Sequence, residues 1–184
     1  KRLIGNSVVD ERALREIYLA GFEMAVRRSQ PWSVMCSYNM INGKYSSDNK
    51  WLLSDVLRDE WGFKGIVMTD WGAMNDRVEG IKAGLDVEMP GPDKANVDAV
   101  IKAVREKRLS EEDLDKVVLR IVETMLRARE CKRNITYDKK EHHEIARYIA
   151  SHSFILLKNE GLLPLDRKKS YAVVGEFAKK PRYQ

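Results

Sequence analysis

Cysteine is nearly absent from this sequence: Cys36 and Cys131 are the only two in 184 residues. Two cysteines do not make a disulfide framework, and neither C-x-x-C nor a Cys/His metal spacing occurs. Cys36 sits inside an apolar run and reads as a small core residue. No apolar run is long enough to span a membrane, and no signal-peptide pattern is present. No Gly-rich phosphate turn follows any strand-like run, which argues against a nucleotide cradle. The three histidines, His142, His143 and His152, have no carboxylate set beside them and read as surface or capping residues, so neither metal nor other cofactor is expected. Aromatic interleaving of the basic clusters is also missing. Arg127, Arg129, Lys132 and Arg133, with Lys139 and Lys140, lie among Glu130, Asp138 and Glu141. The 33 basic and 28 acidic residues leave a formal charge of only +5. This is a mixed, solvated surface, and nucleic acid is not an expected partner. Low cysteine use suits a cytoplasmic setting.

An apolar content of 43% is that of a globular protein. From Asp10, a cap residue, apolar positions recur at three and four (Leu14, Ile17, Tyr18, Phe22, Ala25), predicting a helix that stops before Pro31. Trp32 to Asn39 reads as a buried strand with polar residues at its end, and Asn42-Gly43 as a turn. Ser47 and Asp48 are cap candidates for a second helix carrying Leu52, Leu53, Val56 and Leu57, ended by Gly62. Gly65 to Gly72 is a second strand closed by Asp70 and Trp71. A short helix over 75–82 precedes a third strand, Leu85 to Met89, which is cut off by Pro90-Gly91-Pro92. Two amphipathic helices follow, one through Val97, Val100, Ile101 and Val104. The other is capped by Ser110 and runs through Leu114, Val117, Val118, Ile121 and Met125. Residues 130–142 are charged and aperiodic and read as a linker. Beyond them come a helix over 143–151 and two strands, Phe154 to Leu157 and Tyr171 to Val174, separated by a leucine-rich loop at Leu162-Leu163-Pro164-Leu165.

This alternation predicts an α/β protein with parallel strands. Three strands in about 60 residues, with polar side chains gathered at their C-terminal ends, fit the C-terminal part of a (β/α)8 barrel, whose active sites lie on that face. A doubly wound sheet is the alternative. The expected organisation is barrel over 1–129, linker over 130–142, and the opening of an α/β-sandwich domain over 143–184. That last stretch, roughly 40 residues, is too short for a complete domain. The chain opens without Met and ends on a loop-like phrase, so it reads as a segment of a longer polypeptide.

On such a barrel Ser37, Tyr38 and Asn39 would share one mouth with Thr69, Asp70 and Trp71, and with Asp86 and Glu88. Asp70 stands at a strand tip, which suits either a catalytic carboxylate or the N-cap of the next helix. Asp86 and Glu88 alternate with Leu85, Val87 and Met89, so they face one side and are read as pairing with cations rather than as catalysts. Trp71 suits either a sugar-stacking wall or the core.

Several phrases carry a family resemblance. Met35 to Asn39, Asn42-Gly43, Leu52-Leu53 and Leu57-Arg58 form one group. Glu60 to Trp71, closed by Gly84-Leu85-Asp86 and Met89-Pro90-Gly91, forms the next. Val9-Asp10-Glu11-Arg12 with Leu14 to Leu19 lies before them. Ser153, Lys158 to Gly161, Leu163 to Leu165 and Gly175 to Gln184 lie after. Together they resemble glycoside hydrolase family 3, and its bacterial β-glucosidase branch in particular, over essentially the whole chain. The resemblance implies a retaining exo-glycosidase that removes terminal β-D-glucose from β-glucosides or cello-oligosaccharides by double displacement. It implies that Asp70 is the nucleophile, that Arg2 lies near the −1 sugar, that Met35 packs beneath it, that Tyr38 stands beside the nucleophile, and that Trp71 walls the aglycone side. It also implies that the acid/base Glu lies beyond Gln184 and further glucose-gripping residues before Lys1. The chain alone is therefore expected to be unstable and inactive without the remainder of the same polypeptide. A β-xylosidase or β-N-acetylglucosaminidase of the same family, and a non-catalytic carbohydrate-binding module, are the alternatives. Linkage preference and homo-oligomerisation are left open by the sequence.

Overall fold

The computed structural model describes residues 2–91 and 93–182. It divides into two compact units, 1–133 and 134–184. Pro92, read above as part of the stop after the third strand, and Tyr183 and Gln184 of the closing phrase lie outside the described residues.

In the first unit the opening helical run is continuous in direction but not in bonding. Asp10 caps α1 (Glu11–Ala13) by accepting from the Ala13 N–H at 2.9 Å. Over Leu14–Tyr18 the turns widen to i→i+5 bonding, with Leu19 N donating to Leu14 O, before α2 (Ala20–Ser29) resumes. The run ends when Gln30 adopts a left-handed conformation, φ 44°, and returns its N–H to Val26 O. The helix thus stops one residue before Pro31, as the sequence leads one to expect. A small sheet in the order β1 (Asn6–Ser7), β3 (Met40–Ile41), β4 (Lys44–Tyr45) is fastened by side-chain amides. Asn42 accepts from Val9 N and donates to Val9 O, and Asn6 accepts from Gly43 N.

β2 (Ser33–Cys36) and β5 (Ile66–Thr69) pair in parallel, Ser33 against Ile66 through Cys36 against Thr69. A parallel pair needs a crossover. Here it contains the Trp51–Glu60 helix, whose buried face (Leu53, Val56, Leu57) joins Trp61, Phe63, Val67 and Leu85 in the main core. Asn49 rather than Ser47 or Asp48 caps this helix, its Oδ1 accepting from Leu52 N, because 46–48 form a separate tight turn with both serines buried. Gly65 lets the chain pass over Trp32: a Cβ there would lie 2.4 Å from the Trp32 carbonyl oxygen.

The third strand is shorter than its sequence suggests. It survives as a single parallel rung, Met68 with Val87, supported by Thr69 N to Val87 O at 3.0 Å. The reason lies in two neighbours. The Asp86 carboxylate, not a backbone carbonyl, accepts the Val67 N–H, and Pro90 supplies no N–H to extend the ladder. β2, β5 and this rung form one parallel set and β1 with β3 a second parallel pair, and among the described residues they do not close a barrel. α3 (Arg77–Ala83), α4 (Lys94–Arg105) and α5 (Glu111–Glu130) form a second core through Val78, Ile81, Ala103, Leu109 and Val117. Ser110 caps α5 as expected.

In the second unit, Asp138 caps α6 (Lys139–Ser153), so the helix starts earlier than residue 143 and the irregular stretch after α5 is shorter than 130–142. α7 (Glu176–Lys179) is a single turn. The two predicted strands, Phe154 to Leu157 and Tyr171 to Val174, do not form. No strand exists among the described residues of this unit to accept their hydrogen bonds, and Leu157 and Val174 stand 92% and 90% exposed. A strand is a pairing, not a local conformation, so apolar residues alone do not make one. No helix of the described residues is long and apolar enough to cross a membrane.

Candidate active site

The parallel pair sends the tips of β2 and β5 to one side, where residues following both strands line one cleft. Asp70 follows directly on β5, half-buried, with its N–H pointing at Cys36 O (3.4 Å) across the pair. Its carboxylate Oδ1 accepts the N–H of Trp71 at 2.6 Å, and its carbonyl accepts from Ala73 N at 3.0 Å. Asp70 is not the N-cap of the next helix. The cap of α3 is Asp76, whose Oδ1 accepts from Val78 N and Glu79 N, and Asp70 is not engaged with that helix.

A cleft of about 590 Å³ opens beside Asp70, lined by Arg2, Met35, Cys36, Tyr38 and Asn39, with Phe22 and Val26 opposite. Tyr38 donates its hydroxyl proton to Trp71 O at 2.8 Å, and the Arg2 guanidinium lies over the Tyr38 ring at 5.1 Å. Partial desolvation, then the neighbouring Asp70 carboxylate through hydrogen bonding and charge, hold the Tyr38 phenol above its ordinary pKa, while Arg2 pulls the other way. Tyr38 is therefore a neutral donor at physiological pH. Met35, on β2, lines the cleft and is 56% exposed. Trp71 is 65% exposed, which removes it from the core. Four of the five predicted site residues (Arg2, Met35, Tyr38, Asp70) thus line one cleft, and the fifth borders it through the carbonyl that Tyr38 holds.

Asp86 has a different environment. Its side chain is fully buried and accepts from Arg58 Nη2 (2.7 Å), Arg120 Nε (2.6 Å) and Val67 N (2.7 Å). Every face of that carboxylate is occupied by structure, as the cation-pairing reading expects. Glu88 is engaged by Asn96. Sequence reasoning did not find Arg58 and Arg120 as the partners. The one signal available was a cation on the inner side of each amphipathic helix.

A parallel-stranded α/β unit carries a half-buried carboxylate at a strand tip, with a tyrosine and an arginine lining the same cleft, at the strand C-terminal end where the active sites of β/α barrels lie. The profile described as "Glycosyl hydrolase family 3 N terminal domain" matches residues 5–124, and the chain belongs to that family. The chain is 48% identical over 186 residues, all of its length, to the thermostable beta-glucosidase B of Acetivibrio thermocellus. It is 44% identical, again over its full length, to an exo-alpha-(1->6)-L-arabinopyranosidase of Bifidobacterium breve. Among solved structures it resembles the Bifidobacterium adolescentis GH3 beta-glucosidase (46% identity, TM-score 0.79, all of this chain and 27% of that one). It also resembles beta-glucosidase 3B of Thermotoga neapolitana solved in complex with glucose (43% identity, TM-score 0.77, 90% of this chain and 25% of that one). The chain spans about a quarter of the length of the curated relatives it matches, 25% and 26% for the two named here.

Proposed function

We propose that the chain supplies the nucleophile half of a retaining exo-β-glucosidase. The observation that carries this reading is the placement of Asp70: a carboxylate at a strand tip, spared the helix-capping role and opening on a cleft shared with Tyr38, Arg2 and Met35. In the proposed reaction a carboxylate oxygen of Asp70 attacks the anomeric carbon of a terminal β-D-glucosyl unit. The glycosidic oxygen departs with a proton from an acid elsewhere in the longer polypeptide. Water, deprotonated by the conjugate base of that acid, then hydrolyses the glucosyl–Asp70 ester. Retention requires the two carboxyl groups to stand roughly 5–5.5 Å apart. Arg2 and Tyr38 hold the sugar, Met35 packs beneath it and Trp71 walls the aglycone side. In this reading residues 1–129 are part of a (β/α)8 barrel, 130–142 a linker and 143–184 the start of a sandwich domain. The low cysteine count supports a cytoplasmic setting.

The test is Asp70→Gly in the full-length protein. Hydrolysis of an aryl β-D-glucoside is expected to fall by about four orders of magnitude with glucose binding retained, as removal of a covalent nucleophile does. Trapping with an activated 2-fluoro-glucoside and peptide mapping should place the label on Asp70. Activity within about tenfold of wild type, or a label elsewhere, overturns the reading. The relatives named arabinopyranosidases, 44% and 43% identical, support a second substrate reading. Comparing kcat/KM for aryl β-D-glucopyranoside and aryl α-L-arabinopyranoside separates the two.

A further inference from the structure

The turn that carries Asp70 is fastened to the next strand segment by a side chain the reaction does not itself use. Thr69 is 1% exposed and directly precedes Asp70. Its hydroxyl Oγ1 accepts the Met89 N–H at 2.8 Å and donates to Met89 O at 3.3 Å, a reciprocal pair made with both polar groups of one residue's backbone. The same Met89 carbonyl accepts from Gly72 N at 2.9 Å. The four residues Thr69-Asp70-Trp71-Gly72 are thus pinned to Met89 at both ends. Inside the pinned turn the Trp71 N–H holds Asp70 Oδ1. A hydroxyl suits this position because it combines one donor with two acceptor lone pairs on a short stem. The main chain contributes Thr69 N to Val87 O at 3.0 Å and the Gly72 bond, and beyond the single Met68–Val87 rung the Thr69 hydroxyl supplies the two remaining links to Met89.

We propose that Thr69 is a positioning residue for Asp70: its hydroxyl latches the strand tip to Met89 and so fixes where the carboxylate stands. This rests on the reading of Asp70 as nucleophile. Without the latch the Met89 N–H loses its partner and the turn can drift. A displacement of about 1 Å at a reacting group is enough for a rate loss of order 100-fold.

The experiment uses the full-length protein with Thr69→Val, which nearly conserves volume but removes the hydroxyl, and Thr69→Ser, which keeps it. For Thr69→Val, kcat on an aryl β-D-glucoside is expected to fall roughly 10- to 100-fold with KM within about threefold. The rate constant for trapping by an activated 2-fluoro-glucoside should fall in parallel. Thr69→Ser should stay within about threefold of wild type on both measures. Rates are taken per folded molecule, and if Thr69→Val does not fold, Thr69→Ala carries the same comparison. A hydroxyl-free variant with kcat within about twofold of wild type overturns the proposal, as does a serine variant as slow as the valine one. Asp70→Gly separates the two layers of argument. If it stays active, the nucleophile reading falls; if it is inactive while Thr69→Val is fully active, the latch alone falls.

Discussion

Asp86 offers the sharpest test of how this unit holds together. Its side chain is 0% exposed, against 12% for Arg58 and 20% for Arg120, and the three hydrogen bonds it accepts lie between 2.6 and 2.7 Å. Replacing it by Asn keeps the shape but removes the charge and turns one oxygen into an NH2 group that faces guanidinium donors. Breaking a buried ion pair from one side costs about 3–5 kcal/mol, because the partners keep their charge without compensation. Here the residue of that loss is large: two guanidinium groups already repel each other, and burial already holds the Arg58 pKa below its ordinary value. The Arg58 Nε is buried with no partner even in the intact cluster. The prediction is that Asp86→Asn in the full-length protein loses about 3–5 kcal/mol locally. Since that loss falls on the β5 ladder, amide exchange at Val67 and Thr69 should accelerate by roughly two orders of magnitude or more. Urea unfolding followed by tryptophan fluorescence should show the matching fall in midpoint. Replacing the cluster by apolar residues of similar volume, Asp86→Leu with Arg58→Met and Arg120→Met, removes the uncompensated charges but leaves Val67 N–H, Gly65 O and Gly84 O without these partners, so it should recover part of the stability. A cost under about 1 kcal/mol for Asp86→Asn, or no recovery in the apolar triple variant, refutes the reasoning.

Two further predictions concern packing around the same strands. Gly65→Ala would place a Cβ 2.4 Å from the Trp32 backbone oxygen and 2.7 Å from the ring of Phe63, a core residue. A loss of about 3 kcal/mol, the upper end for overpacking, is expected as a lowered thermal midpoint, and a midpoint unchanged within error contradicts it. Burial pushes the Cys36 thiol up to about 11, whereas Cys131 is exposed at the end of α5. Alkylation at pH 8 and peptide mapping should therefore label Cys131 and spare Cys36 until denaturant is added, and equal labelling rates would refute this. Because the folded pKa of Cys36 lies above its unfolded value near 9, its contribution to stability is fully present below pH ~9 and is lost as pH rises towards 11.

What the sequence makes legible here follows from where the relevant interactions are local. Asp10, Ser110 and Asp138 cap their helices through bonds spanning two or three residues, so a short window of sequence reveals them or comes within a few residues of doing so. Asp76 is just as local, yet the strand ending at Thr69 draws attention to Asp70, six residues earlier, and the pattern alone leaves both roles open. The strand over 85–89 is legible as an apolar alternation but not in its extent. That extent depends on a side-chain carboxylate replacing a carbonyl 19 residues away at Val67. Arg58 and Arg120 bind an acid 28 and 34 residues distant, and no periodicity announces such a partnership. Phe154 to Leu157 and Tyr171 to Val174 have strand composition, and their lack of strand structure reflects missing partners rather than unsuitable residues.

Two aspartates at the ends of neighbouring strands, sixteen positions apart, show why the environment and not the residue type assigns chemistry. Asp86 has its negative charge matched by two guanidinium groups and a backbone amide, and its side chain has no exposed surface, so it cannot meet a sugar. Asp70 receives one local N–H, from Trp71, and stands at the wall of a cleft with a cation and a phenol close by. A nucleophilic carboxylate must be ionised yet not fully solvated by protein, since every donor that grips it in the ground state has to be weakened as the oxygen bonds to carbon. Interchanging the two environments would bury the proposed nucleophile and expose the scaffold. The reciprocal Thr69–Met89 pair links them mechanically: it closes the segment from Asp86 to Met89 onto the strand tip, so that the saturated aspartate anchors the frame in which the accessible one is held.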